Sequence, residues 1–119
     1  MKPRFRADND LDRDIVRALL RRHPDIDFKV DALHNVDDDE VLAVTLREGR
    51  LLVTHDLTTI PPLYQSLRAK RELPGVLLYP QRKPIALAVE HLELVWQLSE
   101  PGQWRNRLIY LPTLADFLT

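Results

Sequence analysis

Residues 51–56 of the chain read LLVTHD, and this stretch decides the predicted fold. Its first four residues form an apolar run without alternation, which is typical of a parallel strand that helices cover on both faces. Gly49 lies just before the run, where a preceding helix would end. Asp56 follows it, where a side chain would face the loop beyond the strand. We therefore interpret the stretch as a central strand of an α/β domain.

Strand and helix patterns alternate on both sides of this strand. Four more strands are predicted, at residues 4–7, 26–30, 76–79 and 108–111. Helical spacing of apolar residues predicts four helices between them, at residues 11–22, 37–48, 61–70 and 84–100. This rhythm predicts one domain over residues 1–119, a three-layer α/β/α sandwich with a mostly parallel central sheet. Residues 112–119 carry no clear pattern, so this tail is left unassigned.

The composition excludes several classes of protein. The net charge is -1, so the chain as a whole is not a basic nucleic-acid binder, and any RNA contact must come from local basic patches. Cysteine is absent, which excludes disulfides and thiolate metal sites and fits a reducing compartment. The first residues lack the apolar core of a signal peptide, and no apolar run approaches the roughly 18 residues that span a bilayer. We expect a cytoplasmic protein with no membrane partner.

Acidic residues follow the first and third predicted strands. Asp8 and Asp10 come after the first strand, Asp56 comes after the third, and residues 37–39 open the helix between them. Sites in open α/β sheets form outside the carboxyl ends of the strands, so these acids could converge if the two strands are neighbours. Crowded carboxylates repel one another unless a cation neutralises them, and hard oxygen ligands suit Mg²⁺ or Mn²⁺. Such a metal can acidify bound water and stabilise charge on a phosphoryl group, which is the chemistry of phosphodiester hydrolysis.

Purely structural roles stay open for several of these acids. Asp10 and Asp12 are equally well explained as caps of the first helix. Asp37 and Asp39 are better explained as helix caps or solvated acids than as ligands. Asp8 is harder to explain in this way, because it lies at the end of a strand where its side chain faces the loop crevice.

Other polar and aromatic residues have two explanations each. Thr54 either favours the strand or orients a carboxylate through its hydroxyl, whereas alternation along the strand places His55 at the surface. Trp104 and Tyr79 could stack on bases, although core packing is the simpler explanation. Several basic residues could follow a phosphate backbone, although a solvated surface explains most of them. They are Arg21, Arg22, Arg47, Arg50, Arg82, Lys83, Arg105 and Arg107.

Three segments, FRADNDL at 5–11, DDEVLA at 38–43 and GRLLVTHD at 49–56, together resemble the small PIN-like proteins related to VapC toxins. In that family an acid ends the first strand within a triplet like Asp-Glu-Asn. A second acid lies in a helix start like Ser-Asp-Glu-Glu, and a third closes a strand end like Leu-Val-Thr-x-Asp. The resemblance covers, in order and spacing, nearly the whole chain from residue 5 to residue 111.

The resemblance implies Asp8, Asp38 and Asp56 as catalytic metal ligands, with Thr54 orienting the third. It implies an Mg²⁺- or Mn²⁺-dependent ribonuclease, often the toxin of a toxin–antitoxin pair. RNA is then the substrate, and a small antitoxin and a second copy of the chain are the partners it suggests. Two positions depart from the family: Asn9 replaces a common Glu, and Thr58 replaces a common second acid. A catalytically degenerate module that only binds a partner is therefore an alternative.

A signalling receiver domain is the alternative from another class. Receivers also carry acids after strand one and an aspartate after strand three, so Asp56 would accept a phosphoryl group. Lys83 and Pro84 would correspond to the receiver's lysine-proline step, but they follow predicted strand four rather than strand five. A receiver also has no need of an acid at Asp38. Nucleotide-binding enzymes fit less well, because no glycine lies directly after the first strand to form a P-loop or a dinucleotide fingerprint.

Overall fold

Strands and helices alternate throughout the computed structural model, which describes residues 1–31, 33 and 37–113. The strands are β1 (Phe5–Ala7), β2 (Phe28–Lys29), β3 (Leu51–Thr54), β4 (Val76–Leu78) and β5 (Leu108–Tyr110). The α-helices are α1 (Arg13–Arg22), α2 (Asp38–Glu48), α3 (Ile60–Arg68) and α4 (Ile85–Leu98). Short 3₁₀ turns at Pro101–Trp104 and Leu111–Thr113 flank β5. The second turn includes the start of the unassigned tail, and residues 114–119 lie outside the described residues.

The five strands form one parallel sheet in the order β2-β1-β3-β4-β5. β3 lies at its centre and is buried along its whole length, as the apolar run predicts. Within the sheet, β1 pairs directly with β3, and Ala7 lies opposite Val53. Helices α1 and α4 pack together on one face, and α2 and α3 on the other. The predicted α/β/α sandwich is therefore confirmed.

Each face of the sheet has its own apolar core. The larger core lies under α1 and α4 and includes Phe5, Leu92 and Trp104. The smaller core lies under α2 and α3 and includes Leu52 and Tyr64. Trp104 is fully buried and donates from its indole N–H to the Ser99 hydroxyl at 2.7 Å. Core packing is therefore the role of Trp104, and the same holds for the buried Tyr79.

Local sequence signals determine where the helices begin and end. The Asp12 side chain caps α1 by accepting from the Asp14 N–H, and Asp37 caps α2 by accepting from the Glu40 N–H. Gly49 ends α2 in the left-handed conformation, with φ of 65°, which a residue with a side chain rarely adopts. The capping explanation is thus confirmed for Asp12 and Asp37, but Asp10 makes no cap.

The edge strand β2 is shorter than predicted. Of residues 26–30, Phe28–Lys29 alone pairs with β1. The preceding Ile26 N–H bonds back to His23 O, which keeps that residue in the turn after α1. Among the described helices, none has both the length and the apolar content needed to cross a membrane.

Candidate active site

The carboxyl ends of β1 and β3 lie side by side, because the two strands are parallel neighbours. After β1 the chain crosses to β2 on one side, and after β3 it crosses to β4 on the other side. The loops that follow β1 and β3 therefore diverge, which opens a crevice between them. The Asp8 N–H donates to Val53 O at 2.9 Å and continues the ladder one residue past β1. The strand order therefore brings Asp8 next to the end of β3, as the sequence predicts.

Asp8 is held in a fixed orientation although it is almost fully buried. Its side chain is 5% exposed. One carboxylate oxygen, Oδ2, accepts from the Thr54 hydroxyl at 2.6 Å, and the other, Oδ1, accepts from the Asn9 N–H at 2.8 Å. A buried carboxylate needs such donors, because burial without them would disfavour its charged form.

The Thr54 hydroxyl connects the first acid to the third, but not as the family resemblance implies. It donates its proton to Asp8 and accepts from the backbone N–H of Asp56 at 3.0 Å. The expectation that Thr54 orients the Asp56 carboxylate is wrong in this detail. Thr54 orients the Asp8 carboxylate and fixes the backbone that carries Asp56.

Asp56 shapes the loop before α3. Its Oδ1 accepts from the Thr58 N–H at 3.0 Å, the Thr58 hydroxyl at 3.3 Å and the Thr59 N–H at 2.8 Å. Burial raises the pKa of Asp56, but hydrogen bonds from Thr59, Thr58 and Ile60 together outweigh burial, and its pKa lies below the ordinary value. Asp56 therefore stays ionised, and Thr58 acts as a donor where the family commonly has a second acid.

Asp38 is the first residue of α2 and belongs to the same electrostatic environment. Burial, followed by the negative charges of Asp56, Asp8 and Asp10, raises its pKa above the ordinary value. The negative charges of two other predicted ligands, from separate segments of the chain, thus reach Asp38. Asp10 is a fourth acid of this group, and the sequence had left its role open. We call these four residues the acidic edge.

Asn9 and His55, which the sequence did not place in the site, hold the loops of the acidic edge in place. Asn9 donates to Leu33 O and accepts from the Leu33 N–H, both at 3.0 Å, which ties the loop after β1 to the segment before α2. The prediction that His55 is a surface residue is wrong, because it is half-buried. Its Nδ1 lies 2.7 Å from Tyr79 O, and its Nε2 accepts from the Asp12 N–H at 3.1 Å. Nδ1 therefore carries the proton.

The donor set of the acidic edge fits a hard divalent cation, since it consists of carboxylate oxygens that repel one another. Within the described part of the chain, no three acid or histidine side chains are arranged so that they could hold a metal ion as they stand. An open cleft of about 510 Å³ adjoins Asp38. It is lined by residues 37–39 together with Thr59, Pro62 and Leu63. Carboxylate oxygens are therefore present at this edge, and an open cleft borders Asp38.

The basic residues proposed from the sequence have different environments. Arg50 is buried and forms an ion pair with Asp27, with 2.8 Å between Nη1 and Oδ1, so it is not available to a ligand. Arg82 and Lys83 lie in the loop after β4, on the same edge of the sheet as the acids. Arg105 and Arg107 precede β5, at the opposite edge.

Comparisons with family models, curated proteins and solved structures find no match to this chain. The likeness to PIN-like proteins therefore depends on the quoted segments and on the acids that the fold brings together.

Proposed function

We propose that the chain is a metal-dependent ribonuclease of the PIN-like type, in which Asp8, Asp38 and Asp56 bind Mg²⁺ or Mn²⁺. The observation that carries the proposal is the meeting of two strand ends, where the Thr54 hydroxyl donates to the Asp8 carboxylate at 2.6 Å and accepts from the Asp56 N–H at 3.0 Å. The raised pKa of Asp38, caused by burial and then by the charges of Asp56 and Asp8, supports it. Like charges gathered at the carboxyl edge of a parallel sheet cost free energy, and a divalent cation would remove that cost.

Each residue of the site has a distinct task in this proposal. Asp8 is the most rigid ligand, since the Thr54 hydroxyl and the Asn9 N–H hold both of its oxygens. Asp56, whose pKa is lowered by hydrogen bonds, provides a charged ligand at neutral pH and also shapes the loop that borders the cleft. Asp38 completes the set from α2. A cation bound there would supply the positive charge that offsets charge building up on a phosphodiester during hydrolysis.

The resemblance also suggests the biological setting. We propose that the substrate is cytoplasmic RNA and that a small antitoxin protein binds the chain and restrains it. A catalytically degenerate module would keep the partner and lose the cleavage. Purification of the chain with a protein encoded beside it, combined with the cleavage assay below, separates these alternatives.

The receiver alternative draws support from the sheet, because the order β2-β1-β3-β4-β5 is also that of receiver-like folds. Two features favour the nuclease. No lysine occurs in Leu111–Thr113, directly after β5, where a receiver requires one. Asp38 joins the acidic edge, which a phosphoacceptor site does not need. Labelling of Asp56 by acetyl phosphate would support the receiver.

Cleavage of a single-stranded RNA in Mn²⁺ tests the proposal. We expect Asp8→Asn and Asp56→Asn each to slow cleavage by about 100-fold or more, because each removes a charged ligand, while far-ultraviolet circular dichroism stays unchanged. Asp25→Asn is the matched control, since Asp25 is exposed in the turn after α1, and we expect it to cleave like the wild type. Wild-type activity in Asp8→Asn, or no cleavage by the wild type, would refute the proposal.

A further inference from the structure

Charge is unevenly distributed along this nearly neutral chain. Between Asp56 and Glu90 the sequence contains one acid, Glu72. The same interval contains five basic residues: Arg68, Lys70, Arg71, Arg82 and Lys83. Residues 101–113 add Arg105 and Arg107 and contain no acid. The fold brings part of this positive charge together at the amino ends of the strands, whereas the acidic edge lies at their carboxyl ends.

An open cleft of about 320 Å³ lies at that opposite edge. Its lining includes three arginines, Arg68 from α3 and Arg105 and Arg107 from the segment before β5. The Val76 N–H donates to Arg107 O at 3.0 Å, which locates the cleft at the amino ends of β4 and β5. We call it the arginine cleft.

The backbone that forms the arginine cleft is fixed by Asn106. This residue has φ of 62°, in the left-handed region that asparagine tolerates better than most residues. Its backbone N–H donates to Leu73 O and its Oδ1 accepts from the Leu73 N–H, both at 2.8 Å. Its carbonyl accepts from Arg68 Nη1 at 3.1 Å, which orients that guanidinium. Arg105 and Arg107 therefore flank a rigid turn rather than a loose loop.

The positive charge of Arg105 is only weakly compensated. Arg105 Nη1 lies 3.9 Å from the Glu72 carboxylate, and the two side chains are 58% and 73% exposed. An ion pair so long and so exposed contributes little, and its partners separate readily. The guanidinium group of Arg105 can therefore form hydrogen bonds with a phosphate, for which its planar fork is well suited.

We propose that the arginine cleft binds backbone phosphates of single-stranded RNA, at a distance from the acidic edge. This inference rests on the proposed ribonuclease function, because that function supplies the substrate. The molecule measures 35 × 33 × 27 Å, so a flexible strand several nucleotides long could reach both edges. The cleft would then hold the RNA through contacts that do not depend on base sequence.

Binding of a non-cleavable strand tests the cleft separately from catalysis. A fluorescent 2′-O-methyl oligonucleotide is titrated with wild type, Arg105→Glu and Arg21→Glu in EDTA, where no metal-dependent cleavage can occur. Arg21 is the matched control, because it is exposed on α1 and its substitution changes the net charge equally. We expect about fivefold weaker binding for Arg105→Glu and less than twofold for Arg21→Glu. The slope of log Kd against log salt should fall by about 0.7 for Arg105→Glu.

The outcomes separate this inference from the proposed function. Equal loss in Arg105→Glu and Arg21→Glu would mean non-specific attraction and would overturn the inference, as would unchanged binding in Arg105→Glu. Inorganic phosphate binding that is lost in Arg105→Glu, together with oligonucleotide binding that is unchanged in this variant, would identify a site for free phosphate instead, which also overturns it. Because binding is measured in EDTA with a strand that cannot be cleaved, a failed cleavage assay leaves the binding result interpretable.

Discussion

Two groups of charged side chains border β1, and their charges are arranged in opposite ways. The first group, which we call the ion-pair cluster, consists of Arg6, Arg50, Asp27 and Glu48. Arg6 Nε lies 2.7 Å from Glu48 Oε1, and the Arg6 side chain is 2% exposed. In this cluster each charge faces an opposite charge. At the acidic edge, by contrast, Asp38 is surrounded by like charges.

The pKa values of the two groups differ accordingly. The hydrogen bond from Arg6 lowers the pKa of Glu48, and the hydrogen bond from Arg50 lowers the pKa of Asp27. Burial and the surrounding acids instead raise the pKa of Asp38. The ion-pair cluster therefore stabilises the fold in its ionised form, whereas at the acidic edge the ionisation of Asp38 opposes folding. This difference distinguishes a structural group of charges from one suited to a ligand.

Removal of the shared carboxylate should produce the largest change in stability. Glu48→Gln keeps the side-chain volume but leaves Arg6 and Arg50 buried without the anion between them. We expect a loss of about 2 to 3 kcal/mol in the free energy of unfolding, less than for a fully buried pair because the Glu48 side chain is 28% exposed. Urea unfolding measures it. Asp14→Asn is the control for an exposed ion pair, and a loss as large there would contradict this explanation.

The ion-pair cluster should also determine the acid limb of the stability curve. Glu48 and Asp27 have folded pKa values below the ordinary 4.5 and 3.8, so their contribution is complete above those values. It is lost as the pH falls through the lowered folded pKa values, because protonation breaks the pairs. Urea unfolding from pH 6 to pH 3 should show the wild type losing stability more steeply than Glu48→Gln. Parallel curves would exclude Glu48 as the source.

Addition of Mn²⁺ should affect the acidic edge and leave the ion-pair cluster unchanged. At a metal concentration of about ten times Kd, we expect the wild type to gain about 1.4 kcal/mol. Asp56→Asn should lose most of this gain, whereas Glu48→Gln should keep it from a lower starting stability. Thermal unfolding with and without Mn²⁺ measures both. An equal gain in Asp56→Asn would show that the metal binds elsewhere.

The predictable part of the molecule is the part that local sequence determines. The apolar run of β3 predicts a buried central strand, and Asp37 and Gly49 predict the limits of α2, because each signal acts within a few residues. The acids at Asp8 and Asp56 were predictable for the same reason, since both directly follow strands. Their meeting was a conditional prediction, because it required β1 and β3 to be neighbours.

The remaining features depend on contacts between distant segments. The partner of Asn9 is the backbone of Leu33, and the partners of His55 are the backbones of Tyr79 and Asp12. Backbone partners leave no trace in residue identity, so alternation along β3 could only predict a surface role for His55. The burial of Arg50 was equally hard to predict. One counter-ion, Asp27, is distant in the chain, and the other, Glu48, is the last residue of α2.

The smallest expected change in stability is a gain, whereas the change expected for Glu48→Gln, the largest, is a loss. A folded pKa above the unfolded value means that Asp38 contributes stability below the ordinary value of 3.8, which is lost as the pH rises through the raised pKa. At pH 7 without metal, Asp38→Asn should therefore stabilise the fold by roughly 0.5 kcal/mol or less, because the α2 N-terminus partly favours the charge. Asp39→Asn is the matched control, since Asp39 is the exposed neighbour in the same helical turn. Asp39→Asn loses the favourable interaction of its charge with the helix N-terminus but relieves no repulsion at the acidic edge, so it should be neutral or slightly destabilising.

With saturating Mn²⁺ the order of stability of the wild type and Asp38→Asn should reverse, because the wild type gains a bound cation that Asp38→Asn holds poorly. Thermal unfolding of both variants in EDTA and in Mn²⁺ measures these changes in stability. Destabilisation of Asp38→Asn in EDTA would mean that the other acids at this edge do not repel Asp38.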